Sequence, residues 1–360
     1  MFFDDMDFID ILAKLAERSH LSVEEAKKAF EIMIGGHVPS ERMAAFLMAL
    51  RVKGTTQEEL LGAVTALRAQ MCPFKVLPER AIDVCGTGGD RYGTLNVSTA
   101  VAFVLAGLGV PVIKHGNRAI SSRSGAADVL SALGVPFILP SQDHEMLLQK
   151  HRAVFLAASH YYPAMPHIAA VRKILGLPTL FNIMGPLLNP ACVKRQLIGV
   201  FSREWLESMV KVLHTLGSER VWAVCSLPFG ETRGVDELTL SGSTSVVALE
   251  HGRYYHFTIE PNMAGFSFAP MEALQGGDPS YNAGMLEDLL RGAPGAYRDT
   301  VLLNAACALH IAGKTTILRH GMIDPMALQE SVALAASSLE SGAAFAVLQG
   351  LRSFSTMMET

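Results

Sequence analysis

Through the first 70 residues, apolar positions recur about every three or four residues, the period of a helix with one buried face. Phe8, Ile11, Leu12 and Leu15 form the first such stripe. Ser22-Val23-Glu24-Glu25 has the form of a capping box, a hydroxyl followed three residues later by a carboxylate. It predicts a second helix running towards Met33, stopped by Gly35-Gly36. Ser40 starts a third helix through Leu50, and Thr56 with Glu59 starts a fourth through Met71. Four short helices with short connections predict a small helical bundle. Pro73 and Pro78 mark the passage to a different pattern.

From Ala81 the pattern alternates. Ala81 to Val84 reads as a buried strand, and a loop with Gly86, Gly88, Gly89, Asp90 and Gly93 follows. Ser98 and Thr99 precede an apolar run ending near Gly109, which predicts a helix capped by those hydroxyls. Val110 to Lys114 predicts a second strand. Further on, Asp128 to Leu133 predicts helix and Val135 to Leu139 strand. Ala153 to Ala157 predicts strand, Trp205 to Leu216 helix, and Val221 to Cys225 strand. Ser245–Leu249 and Arg253–Ile259 flank the turn-like Glu250-His251-Gly252, the pattern of an antiparallel hairpin. Beyond residue 285 the chain is rich in alanine and leucine and again helical. The fold class is α/β, with a small N-terminal helical domain and a larger domain holding a mainly parallel, helix-covered sheet.

Composition narrows the function. Half of the 360 residues are hydrophobic, enough for a sizeable core or two. Thirty basic and 34 acidic residues leave a net charge of −4, which gives no electrostatic reason to expect nucleic acid or an anionic membrane as partner. The five cysteines (Cys72, Cys85, Cys192, Cys225, Cys307) are scattered, without a CxxC pair, and the histidines show no HExxH pattern. Reduced thiols in the cytoplasm fit this usage. The acidic start MFFDDMDFID lacks the basic region of a signal peptide. The apolar runs Val97–Ile113 and Val301–Ala312 are interrupted or too short to span a bilayer.

Several stretches carry candidate chemistry. A glycine-rich loop between strand and helix lets backbone N–H groups approach an anion, with the helix's positive end behind them. It matches neither the Walker loop nor G-x-G-x-x-G, and an ordinary tight turn has the same composition. Lys114-His115-Gly116-Asn117-Arg118, with Ser121, Ser122 and Ser124, follows a strand and reads as a second phosphate site or as a polar surface turn. Asp236-Glu237 is a pair suited to Mg²⁺, although most such pairs are simply solvated. Arg172 is suited to a carboxylate, or is a solvated helix arginine. Phe181 to Pro190 reads as a stiff irregular connector.

Taken together and in order, Gly86-Thr87-Gly88-Gly89-Asp90, Asn96-Val97-Ser98-Thr99, Lys114-His115-Gly116-Asn117-Arg118, Gly185-Pro186-Leu187 with Asn189-Pro190, and Asp236-Glu237 resemble the anthranilate phosphoribosyltransferase family. The resemblance spans about residues 5 to 350. It implies a helical domain of residues 1–72 with a returning segment near 173–192, and an α/β domain of 80–172 and 193–355. A homodimer is implied, with 5-phosphoribosyl diphosphate (PRPP) bound between the domains and tryptophan biosynthesis as the setting. Gly86, Gly89 and Asp90 resemble the diphosphate loop. Thr94, Asn96, Val97, Ser98 and Thr99 resemble further PRPP contacts, with Ser98 also near Mg²⁺. Lys114, His115, Gly116, Asn117, Arg118, Ala119, Ile120, Ser121 and Ser122 resemble the segment around the ribose phosphate, with Ala126 beyond it. Asp236 and Glu237 resemble the Mg²⁺ ligands, and Gly86, Asn117 and Arg172 the anthranilate contacts. No residue is assigned as acid or base. His115 reads equally well as part of the turn. Two positions depart from the family pattern: Tyr162 stands where histidine precedes Pro-Ala-Met, and Pro178 where arginine precedes Thr-Leu-Phe-Asn. Rival readings are a transferase with another aromatic acceptor, a pyrimidine nucleoside phosphorylase, and a non-catalytic nucleic-acid-binding relative.

Overall fold

The computed structural model describes residues 2–116, 124–163 and 165–358. It divides into two compact units, one of residues 1–73 and 158–190 and the other of residues 74–157 and 191–360.

The first unit is helical. Its N-terminal helices are α1 (Phe2–Ala16), α2 (Val23–Ile34), α3 (Ser40–Lys53) and α4 (Gln57–Ala69). Both predicted capping boxes form, Ser22 with Glu25 and Thr56 with Glu59. Glu59 is fully buried, yet its carboxylate accepts hydrogen bonds from the Leu21 and Thr56 amides and from Lys53, so the charge is compensated. Gly62 lets α4 cross α2 closely, since a Cβ there would meet the Val23 carbonyl. Phe8, Phe30 and Phe46 pack ring against ring, with centroids 5.3 and 5.5 Å apart. The chain returns to this unit through helices Ala158–Tyr161, Pro166–Leu175 and Phe181–Met184. The return therefore begins at residue 158, before the expected 173, and includes Arg172. The Cys72 amide donates to the Tyr161 carbonyl at 2.9 Å and His167 bonds the Met33 carbonyl, which ties this earlier stretch to the bundle.

The second unit holds a seven-stranded sheet. Its strands are β1 (Ile82–Gly86), β2 (Val112–Gly116), β3 (Ala153–Ala157), β4 (Arg195–Gly199), β5 (Arg220–Pro228), β6 (Gly242–Glu250) and β7 (Arg253–Ile259), in the order β3-β2-β1-β4-β5-β6-β7. The first five are parallel, β6 pairs antiparallel with β5, and β7 pairs antiparallel with β6. The hairpin turn has His251 and Gly252 both at positive φ, the geometry a two-residue turn requires. Helix α5 (Val97–Gly107) is buried on nearly every face, which explains its unbroken apolar sequence. It packs among the C-terminal helices Ala296–Ile311, Pro325–Glu340 and Ala343–Met358. Among the described residues, no single helix is long and apolar enough to cross a membrane.

Three expectations need correction. Val135 to Leu139 forms no strand. Gly134 turns the chain at φ 71°, and Pro136 has no N–H to offer a ladder. Ser98 and Thr99 do not cap α5; Asn96 holds the N-cap position without a side-chain bond to the helix's own amides, and both hydroxyl residues lie inside the first turn. Strand β4, at the centre of the sheet, is not anticipated by the apolar pattern. Its five residues open with Arg195 and Gln196, so they lack an apolar run.

Candidate active site

The strand order places a switch point between β1 and β4. From there β2 and β3 extend one way and β5 the other, and open α/β sheets bind ligands beyond the carboxyl ends at such a point. Gly86 ends β1 and Gly199 ends β4, and the two are register partners. Asp236 lies directly over both. A Cβ on Gly86 would collide with its carboxylate, and one on Gly199 with its carbonyl. Glycine is required here by close approach, not by φ.

The glycine loop begins at this point. Gly88, Gly89 and Gly93 have φ of 66°, 82° and 64°. The Gly88 amide donates to Asp236 Oδ2 at 2.6 Å, and the Thr87 amide donates to the Gly199 carbonyl at 2.9 Å. Asp90 is buried. Its Oδ1 accepts from the Tyr92 amide, and among the described residues its Oδ2 has no hydrogen-bond donor. Burial and the neighbouring Asp236 push its pKa up to about 8.

Glu237 reaches the start of α5, where its Oε1 accepts from the Ser98 amide at 3.3 Å. A carboxylate thus meets the positive end of the helix, supplied from 139 residues away. Lys114 is buried and donates to Ser98 Oγ at 3.1 Å and to the Val84 carbonyl at 2.6 Å. Ser98 therefore stands between the lysine and the glutamate. Desolvation first, then Asp236, raises the Glu237 pKa to about 8 against the pull of Lys114. Three carboxylates share this region with one buried lysine, an excess of negative charge that a hard divalent cation would balance. Among the described residues no three His, Cys, Asp or Glu side chains form a self-sufficient metal cage. Mg²⁺ held by one or two carboxylates plus substrate oxygens needs none. Asp236 and Glu237, with the orphaned Asp90 Oδ2 nearby, fit that requirement.

The remaining candidates are set by tertiary bonds. Thr94 pairs with Gln275 in an isolated bridge. Asn96 Oδ1 accepts from Asn282 at 2.9 Å, and its carbonyl accepts from the Tyr297 hydroxyl. Val97 and Thr99 are buried in α5. The His115 amide donates to Asp83 Oδ1, which fixes the end of β2. Ala126 packs beside Gly116. Asn117, Arg118, Ala119, Ile120, Ser121 and Ser122 lie outside the described residues. The second unit thus gathers the glycine loop, Thr94 to Thr99, Lys114 and the two acidic residues around the ends of β1, β2 and β4. Asn304 was missed in the sequence. Its side chain accepts from the Leu238 amide and donates to the Leu238 carbonyl, which holds the acidic segment in place. A lone amide inside the apolar run Val301–Ala312 was the available signal.

Arg172 belongs to the helical unit. Its guanidinium lies 5.1 Å from the centre of the Phe181 ring, and burial lowers its pKa. Among the described residues no carboxylate forms an ion pair with it. The two departures from the family pattern are both used structurally in this unit. Tyr162 is buried and its hydroxyl donates to the Leu188 carbonyl at 2.7 Å, while the Pro178 carbonyl accepts from Arg51.

The raised carboxyl groups make stability depend on pH. A glutamate that ionises near 4.5 when unfolded but near 8 when folded binds its proton more tightly in the native state. Its contribution is present at low pH and is lost as pH rises towards 8. In divalent-free buffer, Glu237→Gln should therefore gain melting temperature relative to the parent as pH goes from 5 to 8. An unchanging difference across that range would mean that the carboxylate is not destabilised by its surroundings.

Residues 9–71 match the family described as the glycosyl transferase family, helical bundle domain, and residues 78–345 the glycosyl transferase family, a/b domain. Anthranilate phosphoribosyltransferase of Gluconobacter oxydans strain 621H is 52% identical over 349 residues, covering 96% of this chain and 95% of that protein. The crystal structure of the Thermus thermophilus enzyme matches with a TM-score of 0.85 at 38% identity, covering 96% of this chain and 99% of that one. The Saccharomyces cerevisiae enzyme in complex with PRPP and Mg matches with a TM-score of 0.84 at 26% identity, covering 97% and 98%. By sequence and fold over nearly its whole length, the chain belongs to the anthranilate phosphoribosyltransferase family.

Proposed function

We infer that this chain transfers the 5-phosphoribosyl group of PRPP to the amine of anthranilate. The bond from ribose C1 to the diphosphate oxygen breaks, a bond from C1 to the amine nitrogen forms, and diphosphate and a proton leave. The observation that carries this reading is the pair at the sheet's switch point, Asp236 bonded to the glycine loop and Glu237 to the start of α5. A transfer of this kind depends on positioning and on neutralising the leaving group, so no protein nucleophile is needed.

The chain's own residues divide these tasks. Gly86, Gly89 and Asp90 form the diphosphate loop, and Thr94 and Asn96 to Thr99 bind PRPP alongside it. Lys114 holds Ser98 and adds positive charge. Asp236, Glu237 and Ser98 hold Mg²⁺, which supplies charge neutralisation to the departing diphosphate. Lys114 to Ser122, with Ala126, bind the ribose phosphate, and Gly86, Asn117 and Arg172 bind anthranilate. We place the reaction in tryptophan biosynthesis in the cytoplasm, with the enzyme as a homodimer.

Anthranilate fluorescence tests the reading. Mixed with PRPP and Mg²⁺, the protein should extinguish it, and omitting either component should prevent the loss. Persistent fluorescence with PRPP still bound by calorimetry would overturn anthranilate as acceptor. Absence of PRPP binding would overturn the reaction itself.

A further inference from the structure

A second polar cluster lies at the other end of the sheet. Arg195 opens β4 and Arg220 opens β5, and the two are register partners on adjacent parallel strands. With His214, His251 and Glu219 they line a cavity of about 390 Å³. Like charges placed side by side on neighbouring strands repel. Burial, then the Arg220 charge, holds the Arg195 guanidinium below its usual pKa range.

Each guanidinium has an acidic neighbour, so what the cluster offers a ligand is unused N–H donors. Glu250 is buried and turned inward, where it meets Arg220 Nε at 2.8 Å, Trp222 Nε1 at 2.8 Å and His310 Nε2 at 3.1 Å. Arg220 also donates to the His310 carbonyl at 2.7 Å, and its remaining amino group lies 3.3 Å from His251 Nε2. These bonds take three of its five N–H groups. Arg195 donates to the Ile311 carbonyl at 3.0 Å and stands 3.7 Å from the exposed Glu219. The cavity is thus lined by two guanidinium groups with unused N–H donors and by two imidazoles, with Glu219 the exposed carboxylate among them. Planar guanidinium forks with spare donors, flanked by imidazole, are the chemistry of phosphate recognition. A cavity of this size is in the range that takes a small organic ligand.

We propose that the cavity at the amino ends of β4 and β5 is a second anion site, which takes inorganic phosphate or a small phosphate monoester between Arg195 and Arg220. It shares no residue with the PRPP machinery.

Inorganic phosphate is the probe. It is titrated into full-length protein holding saturating PRPP and Mg²⁺, so that the reaction's own phosphate sites are filled. Imidazole signals of nitrogen-15 histidine-labelled protein are followed by NMR. The His214 and His251 signals should move and saturate. Arg195→Gln should weaken the response about tenfold or more, with turnover unchanged. His251→Gln, at an exposed turn, gives the same reading should Arg195→Gln fold poorly: a weaker response of His214. Because these two histidines report only this cavity, the outcome is independent of whether PRPP is the donor. Unmoved signals in the parent protein overturn the proposal. Equal affinity in a well-folded variant overturns it as well. Acetate at matched ionic strength acting as strongly overturns the choice of phosphate.

Discussion

Replacing Asp236 by asparagine together with Glu237 by glutamine should lower turnover roughly a thousandfold or more while the protein remains folded. The two parts of that expectation rest on different physics. Activity falls because the amides keep the shape of the carboxylates but lose the negative oxygens that hold a hard cation. The fold survives because the charged form of Glu237 strains the native state and because asparagine at 236 keeps a hydrogen-bond acceptor. Glu237 is pushed up to about 8 by desolvation and by Asp236, so removing its charge relieves a cost above neutral pH. Asp236 also accepts the Gly88 amide, and asparagine keeps that acceptor with its oxygen so oriented. Loss of activity combined with equal or higher melting temperature is a signature that a purely structural acidic pair does not produce. The measurement is kcat across a Mg²⁺ titration beside a thermal melt. Full turnover in the double variant would overturn the metal assignment.

The same site shows how much the sequence disclosed. The capping boxes at Ser22 and Thr56 were legible because every partner lies within three residues. Strands β1, β2 and β3 were legible as short apolar runs bounded by glycine or charge. Strand β4 was not, since its inner residues are buried by neighbours that only the folded sheet supplies. The start of α5 was misread for a related reason. Ser98 and Thr99 look like caps in the sequence, yet the Ser98 amide is satisfied by Glu237, a partner no local rule can name. The glycines were read as one phosphate loop, but they serve two needs. Gly88 and Gly89 supply positive φ, whereas Gly86 makes room for Asp236. Asn282, Tyr297 and Asn304, which orient Asn96 and Leu238, are invisible as site residues because they touch the site only through backbone and amide bonds. Motif order therefore disclosed the chemistry, while the supporting bonds emerged from the structure.

Arg172→Ala should raise the KM for anthranilate by about tenfold to a hundredfold and leave the KM for PRPP nearly unchanged. A guanidinium withdrawn from water without a carboxylate partner is costly unless a ligand supplies the anion. Arg172 is in that position: burial lowers its pKa, the Phe181 ring offers a face at 5.1 Å, and among the described residues no ion pair engages it. The ring holds the side chain by a cation–π contact and leaves the edge of the fork for hydrogen bonding. An ortho-aminobenzoate presents both features such a fork recognises, a planar carboxylate and an attached aromatic ring. Arg172→Lys separates fork from charge. Lysine keeps the cation but not two parallel donors, so the KM for anthranilate should recover only in part. Initial rates with each substrate varied in turn, beside thermal melts of both variants, decide the matter. Equal rises in both KM values, or a fall in melting temperature that accounts for the loss, would make Arg172 a packing residue of the helical unit and leave the acceptor's carboxylate without an assigned partner.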